Sequence, residues 1–265
     1  MKSFQKKFFI VLQSNNLYLC TIYLNKYMNI HTTLSIIIPS YNEEKTIIIL
    51  LDKIHEVCLI KEIKKEVIII DDGSNDNTKD AVNTYIENNP EKKIKLIIHD
   101  TNKGKGAAVR TGIKNCTGDF IIIQDGDLEC DPKDYNILLK TIIENELQVV
   151  YGSRFLKKEN KHLSKWFYIG GKVLTYTANI LYNQNLTDEA ACYKMFHADF
   201  LRSITLKCDR FEFCPEVTAK VAKCGIKIKE VPVNFYPRTK GEGKKIRFKD
   251  GIEALCTLLK YRFIK

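Results

Sequence analysis

From residue 33 onward the chain alternates short, unbroken apolar runs with longer stretches of helical spacing. TLSIIIPSY (33–41), EVIIIDDGS (66–74), KIKLIIHD (93–100), DFIIIQDGD (119–127) and LQVVYGSR (147–154) read as five strands. Their apolar residues are continuous rather than alternating, so both faces of the sheet are expected to be covered by helices. Helices are predicted between them. The first is capped by Asn42 with Glu43 and Glu44 in its first turn, and others span Thr78 to Asn88, Gly106 to Cys116, and Pro132 to Glu144. The second half reads as a helix from Lys165 to Leu181 and a strand from Ala191 to Phe196. A helix from Pro215 to Lys223, a strand from Ile226 to Phe235 and a last helix from Lys249 follow. This order predicts an α/β fold with a doubly wound, mostly parallel sheet. Such sheets bind ligands beyond the carboxyl ends of their strands. The polar clusters PSYNEE, DDGSND, QDGDLE and GSR fall at four of those ends, so one crevice is expected there.

Charge adds a second pattern. The chain of 265 residues has a net charge of +10, but the excess sits at its ends. Residues 1–30 hold four lysines and no acid, and residues 226–265 hold eleven basic residues against four acids. A basic end beside apolar residues suits an anionic membrane surface or a phosphorylated ligand. No nucleic-acid module is visible, so nucleic acid is not expected as a partner. Nine cysteines without a CxxC pair argue against a disulfide framework and a structural zinc site, and for a reducing, cytoplasmic compartment. No apolar run reaches the ~20 residues that cross a bilayer. Residues 1–30 read as a dispensable basic extension, 31–240 as the catalytic domain and 241–265 as a basic helical segment. In that segment Ile252, Leu255 and Leu259 form a stripe, read either as core or as a membrane-facing patch.

Two phosphate motifs fail. NKGKGAAVR has Gly104 and Gly106, but Val109 stands where a dinucleotide fingerprint needs its third glycine. No GxxxxGK[ST] is present; GGKVLT (170–175) lacks both the upstream glycine and the Ser or Thr after lysine. The acidic turn after the fourth strand offers a third route. Asp125 and Asp127, one residue apart around Gly126, can hold a hard divalent cation that also binds substrate phosphates.

SIIIPSYNEEKTI, IIIDDGSNDNT, NKGKGAAVRTGI, GDFIIIQDGDLE and VVYGSRF, in this order and spacing, resemble family 2 glycosyltransferases of the GT-A fold. LTDEAACYKMF and EVPVNFYPRTKGEGKKIRFKDGI extend the resemblance over roughly residues 32–263. The similar branch contains dolichyl-phosphate mannose and glucose synthases and bacterial polyprenyl-phosphate glycosyltransferases. The resemblance implies an inverting enzyme that moves a hexose from a GDP- or UDP-sugar to a polyprenyl monophosphate. It would need Mg²⁺ or Mn²⁺ and sit at the cytosolic face of a membrane, a small membrane-anchoring subunit being a further partner it allows. Pro39, Tyr41 and Glu43 would line the nucleoside pocket, Asp71 and Asp72 contact base and ribose, and Lys105 face the nucleotide from its loop. Asp125 and Asp127, with Glu129 as a further ligand, would hold the metal. Arg154 would meet the acceptor phosphate or the diphosphate, and Arg238, Lys244 and Lys245 would close over the phosphates. Asp188 is the one obvious general-base candidate. The chain departs from relatives at Ala190, where many have Glu in TDMETCYK, which puts that loop's role in doubt.

Plainer readings stand beside these. Asp71 or Asp72 could cap a turn with Ser74, Arg154 could pair with a nearby acid, Asp188 could orient a neighbour, and Lys105 could be a solvated loop residue. Cys192, Cys214 and the five histidines read as packing or surface residues. A hydroxyl acceptor on a glycan, or a non-catalytic nucleotide-sugar-binding module, are the alternative functions.

Overall fold

A computed structural model describes residues 32–160, 165–238, 245 and 247–264. The expected N-terminal extension and Lys244 lie outside the described residues. Seven strands form one sheet in the order β3-β2-β1-β4-β6-β5-β7. They are β1 (Thr33–Ser40), β2 (Lys64–Asp71), β3 (Ile94–Ile98), β4 (Phe120–Ile123), β5 (Val149–Ser153), β6 (Lys194–His197) and β7 (Lys229–Pro232). All pairings are parallel except those of β6, which runs antiparallel between β4 and β5. The apolar runs do what continuity demands of a two-sided sheet. Ile36, Ile38, Val67, Ile69 and Ile122 join one core, while Ile37, Ile68, Ile70, Ile121 and Ile123 join the other.

Helices α1 (Ile47–Glu56), α2 (Thr78–Asn88), α3 (Lys105–Asn115), α4 (Tyr135–Glu144) and α7 (Phe213–Lys223) cover these faces. Helix α3 lies so close to the sheet that a Cβ on Gly112 would meet Ile37 Cγ2 at 2.4 Å. Helices α5 (Lys165–Tyr182) and α8 (Phe248–Phe263) share a third, smaller core. Leu174, Ala178 and Tyr182 there meet Ala254, Leu258 and Tyr261.

Four expectations need correction. Asn42 does not cap α1: it adopts a left-handed conformation (φ 50°), and the helix starts only at Ile47. Its side chain instead accepts a hydrogen bond from Asn75 N, tying the β1 loop to the β2 loop. The strand expected over 226–235 shrinks to Lys229–Pro232, because Gln184 binds the backbone at Ile226 and Ile228. The 3₁₀ turn Ile60–Glu62 and the short helix α6 (Ala198–Ser203) were not anticipated, being too short to show a period. Lys105 is the first residue of α3 rather than a loop residue.

Candidate active site

The acidic turn sits directly beyond β4, against the end of β1. A Cβ at Gly126 would lie 3.4 Å from Pro39 O and Ser40 Oγ, and Thr46 Oγ1 donates to Gly126 O at 3.0 Å. Behind the turn, buried Gln124 accepts hydrogen bonds from Tyr135 and Tyr193 at 2.6 and 2.7 Å and donates to Asp125 O at 2.9 Å. Such a fully engaged buried amide fixes the turn's backbone. Gln124 looked like one more strand residue in the sequence, and only the two tyrosines from distant segments reveal its role.

The two carboxylates of the turn behave differently. Burial would raise the Asp125 carboxyl, but the ion pair with Lys105, helped by the Cys192 thiol, pulls it below its ordinary range. Burial and then the negative charge of Asp125 push Asp127 up to about 7, even though Arg238 Nη2 lies 2.6 Å from its Oδ2. The two crowded acids each draw a cation, Lys105 to Asp125 and Arg238 to Asp127. Their oxygen donors suit a hard divalent ion such as Mg²⁺ or Mn²⁺. Glu129 is turned away: its Oε1 accepts from the Arg238 backbone N–H at 2.7 Å. Accordingly, among the described residues no three His, Cys, Asp or Glu side chains converge as a ready-made metal site.

Glu43 is buried and belongs to the basic segment rather than to an open pocket wall. It pairs with Arg238 Nη1 at 3.1 Å and with Lys245 Nζ at 2.6 Å, and accepts from Thr46 Oγ1 at 2.8 Å. Lys245 also donates to Tyr41 O. Arg238 therefore bridges Glu43 and Asp127, while its buried Nε has no hydrogen-bond partner.

The β2 loop holds Asp71 and Asp72, both buried. Asp71 Oδ1 accepts from Ser74 N at 3.0 Å. Asp72 is committed to the chain itself: Lys103 N (3.0 Å), Gly104 N (2.7 Å) and His99 Nδ1 (2.7 Å) occupy its oxygens. It shapes the loop that presents Lys105. The glycines of NKGKG are also explained. A Cβ on Gly104 (φ 102°) would meet Asp209 O at 2.5 Å, and one on Gly106 would meet Cys208 O at 2.3 Å. The 208–210 segment thus covers the start of α3, where Ala107 N donates to Asp209 O at 3.0 Å. Glu216 holds that segment by accepting from Lys207 N and Cys208 N, both at 2.8 Å. These glycines serve close packing and not a phosphate cradle.

Beyond β5, Arg154 Nε and Nη2 each lie 2.7 Å from the Asp188 oxygens, and Arg154 N donates to Oδ2 at 3.0 Å. Asp188 is 0% exposed, and Arg154 outweighs the effect of burial to hold its carboxyl below the ordinary range. A buried carboxylate with both oxygens committed to one guanidinium is placed to orient it. Ala190, the departure from the resembling sequences, contributes its carbonyl to Arg154 Nη2 at 3.2 Å. The guanidinium lies 5.1 Å from the Phe235 ring, and Phe235 bridges to Cys130 beside the acidic turn. Lys172 Nζ sits over the Phe155 ring at 4.0 Å, 3.4 Å from Thr187 O. Lysines 105, 172 and 245 and arginines 154 and 238 are thereby gathered around the strand ends. Glu189, next to Asp188, is buried with its carboxyl raised by burial and one oxygen, Oε2, lacking a partner.

Comparison with known proteins agrees with this architecture. Residues 35–205 match the model of Glycosyl transferase family 2. A dolichyl-phosphate β-glucosyltransferase from Dictyostelium discoideum is 31% identical, over 87% of this chain and 74% of its own length. A dodecaprenyl-phosphate galacturonate synthase from Rhizobium johnstonii is 26% identical, over 80% of this chain and 61% of its own. Among solved structures, glucosyl-3-phosphoglycerate synthase from Mycobacterium tuberculosis, with Mn²⁺, UDP-glucose and phosphoglyceric acid, superposes with a TM-score of 0.65. It shares 16% identity, over 88% of this chain and 81% of that one. A mannosyltransferase from Pyrobaculum calidifontis, with GDP-mannose and Mn²⁺, gives a TM-score of 0.57 at 16% identity, covering 88% of this chain and 70% of that one. These two share the GT-A fold.

Proposed function

The chain belongs to glycosyl transferase family 2, and we propose that within it the protein transfers a hexose from a nucleotide-sugar to a polyprenyl monophosphate. The donor side is the acidic turn. A divalent ion, Mg²⁺ or Mn²⁺, held by Asp125 and Asp127 would neutralise the donor diphosphate and ease its departure. Lys105 and Arg238, now spent on those carboxylates, turn to the phosphate oxygens when the donor occupies the crevice. Glu43 keeps Arg238 and Lys245 aimed at the same place. Asp72 fixes the loop bearing Lys105, and Asp71 with Pro39 and Tyr41 borders the nucleoside end. The UDP-sugar and GDP-sugar complexes of the structural neighbours support a donor of this class.

The acceptor reading rests most heavily on one observation, the commitment of Asp188 to Arg154. A sugar hydroxyl is a poor nucleophile at neutral pH and normally needs a side chain to take its proton. A phosphate monoester carries about −1.5 to −2 charge at pH 7 and attacks as it stands. It needs cations so that it can approach the donor diphosphate. Arg154 and Lys172 supply them, and Asp188 positions Arg154. Attack from the face opposite the leaving group inverts the anomeric carbon. The lipid-phosphate sugar transferases among the relatives support the same acceptor class. The eight described cysteines are all unpaired, in keeping with a reducing compartment. The protein works peripherally at the cytosolic surface of a membrane.

The test is Asp188→Asn assayed with a polyprenyl phosphate across pH. Substantial turnover with an unshifted pH profile is expected. Abolished transfer, with nucleotide-sugar binding and fold retained, would make Asp188 a base and favour a hydroxyl acceptor.

A further inference from the structure

Helix α8 has three faces. Ala254, Thr257, Leu258 and Tyr261 are buried against the protein. On another side Phe248, Ile252, Leu259 and Phe263 are exposed, Phe248 and Phe263 at 84% and 83%. Their spacing of four, seven and four residues lines them along one stripe at 3.6 residues per turn. Exposed basic residues stand on its two shoulders, Lys249 and Lys260 on one and Arg262 on the other. Glu253, paired loosely with Lys249 at 3.5 Å, is the acid nearest this stripe. The neighbouring helix α5 repeats the apolar stripe. Its Leu174, Ala178 and Tyr182 face the shared core, while Ile169, Val173, Tyr176 and Ile180 are exposed along the opposite side. No charged residue follows Lys172 in that helix.

Scattered exposed apolar residues need no explanation, but a full-length stripe on each of two packed helices does. Among the described residues no helix is long and apolar enough to cross a membrane. An outward apolar stripe with basic shoulders is the pattern of a helix that lies in a membrane interface. A lysine of each segment also reaches toward the candidate site. Lys245, three residues before Phe248, reaches Glu43, and Lys172 of α5 approaches Thr187 O beside Asp188.

We propose that the exposed stripe of α8, assisted by that of α5, seats the enzyme on an anionic lipid bilayer, with the crevice opening at the lipid headgroups. The inference rests on the polyprenyl-phosphate reading and deepens it. Charge selects this occupant: the shoulders of α8 are basic, which suits anionic headgroups. A second copy of the chain would bring those cations against their own kind. An acceptor anchored by its tail then meets Arg154 without leaving the membrane.

The test uses the full chain and vesicles of phosphatidylcholine with or without phosphatidylserine. Binding is expected to the anionic vesicles and to weaken with salt. Phe248→Ser with Phe263→Ser should weaken it roughly a hundredfold, about tenfold for each ring withdrawn from the interface. Lys249→Glu with Lys260→Glu and Arg262→Glu should abolish the preference for anionic lipid. These side chains are exposed, and circular dichroism checks that the variants fold. The double Phe variant should keep wild-type transfer to a water-soluble short-chain prenyl phosphate but lose transfer to a long-chain acceptor in vesicles. The inference is overturned if vesicles are not bound at low salt, or if binding survives both sets of substitutions. It is equally overturned if light scattering shows that the Phe substitutions break up a dimer instead. If the wild type uses neither prenyl phosphate, the acceptor reading fails, while vesicle binding still decides the docking face.

Discussion

Replacing Arg154 by Met removes the arginine paired with Asp188 and keeps most of the side chain's length. Asp188 is 0% exposed and accepts three hydrogen bonds from Arg154, two of them from the guanidinium at 2.7 Å. The variant strands a buried carboxylate without its cation. Breaking a buried pair from one side costs about 3–5 kcal/mol, whereas removing both charges is often neutral. For a domain of this size that corresponds to a Tm lowered by roughly 6–20 °C. Arg154→Met with Asp188→Leu should recover most of the loss, since the two residues are in direct contact and couple. The assay is thermal and urea unfolding of the wild type, both single variants and the double variant. A loss below about 1 kcal/mol for Arg154→Met, or a double variant no more stable than the singles, would refute the view that the two residues form one buried unit. Activity separates the roles further. The double variant should stay inactive although stable, because the cation that receives the acceptor is gone.

Three more outcomes follow from the geometry. Glu66 is buried; burial alone would raise its carboxyl, but bonds from Lys93, Ser35 and Thr117 outweigh it and bring the pKa from 4.5 to about 2. Its folded pKa is depressed, so its contribution of about 3 kcal/mol is present above the unfolded value and fades as pH falls from about 4.5 to 2; unfolding of Glu66→Gln against wild type across that window checks it, and a pH-independent difference would count against it. Gly106→Ala should destabilise by about 1–3 kcal/mol, because its Cβ must displace the Cys208 carbonyl; urea unfolding measures this. Asp127→Ala should abolish metal-dependent nucleotide binding while leaving the fold intact, as read by titration calorimetry with UDP or GDP and Mn²⁺; unchanged affinity would remove Asp127 from the metal site.

What the sequence showed and what it hid have physical reasons. Unbroken isoleucine runs bounded by turn residues suit central strands of a covered sheet, so β1, β2 and β4 and the polar clusters at their ends were legible. The direction of β6 was not, since four residues carry no sign of which way they run. Individual acids could be found by motif, but not their partners. Asp72, Glu43 and Asp188 look alike as loop carboxylates, and only the fold shows that Gly104 N, Lys245 and Arg154 occupy them. Gln124 and Glu216 carry no signal of their own in the pattern, because what defines them is the partners the fold brings to them, Tyr135 and Tyr193 for one, the 207–208 backbone and Tyr261 for the other. The stripe Ile252, Leu255 and Leu259 was visible as spacing, yet it splits: with Ala254 and Leu258 on the inner side, Leu255 packs against the third core while Ile252 and Leu259 face outward.

The most direct measurement is the product itself. The purified protein is incubated with GDP- and UDP-hexoses, Mg²⁺ or Mn²⁺, and equal amounts of a polyprenyl phosphate and a glycan acceptor, and both acceptors are followed by mass spectrometry. Metal-dependent appearance of a polyprenyl phosphate one hexose heavier, abolished by Asp127→Ala, is the expected result. Hexose on the glycan alone, or on neither acceptor while nucleotide-sugar still binds, would contradict it.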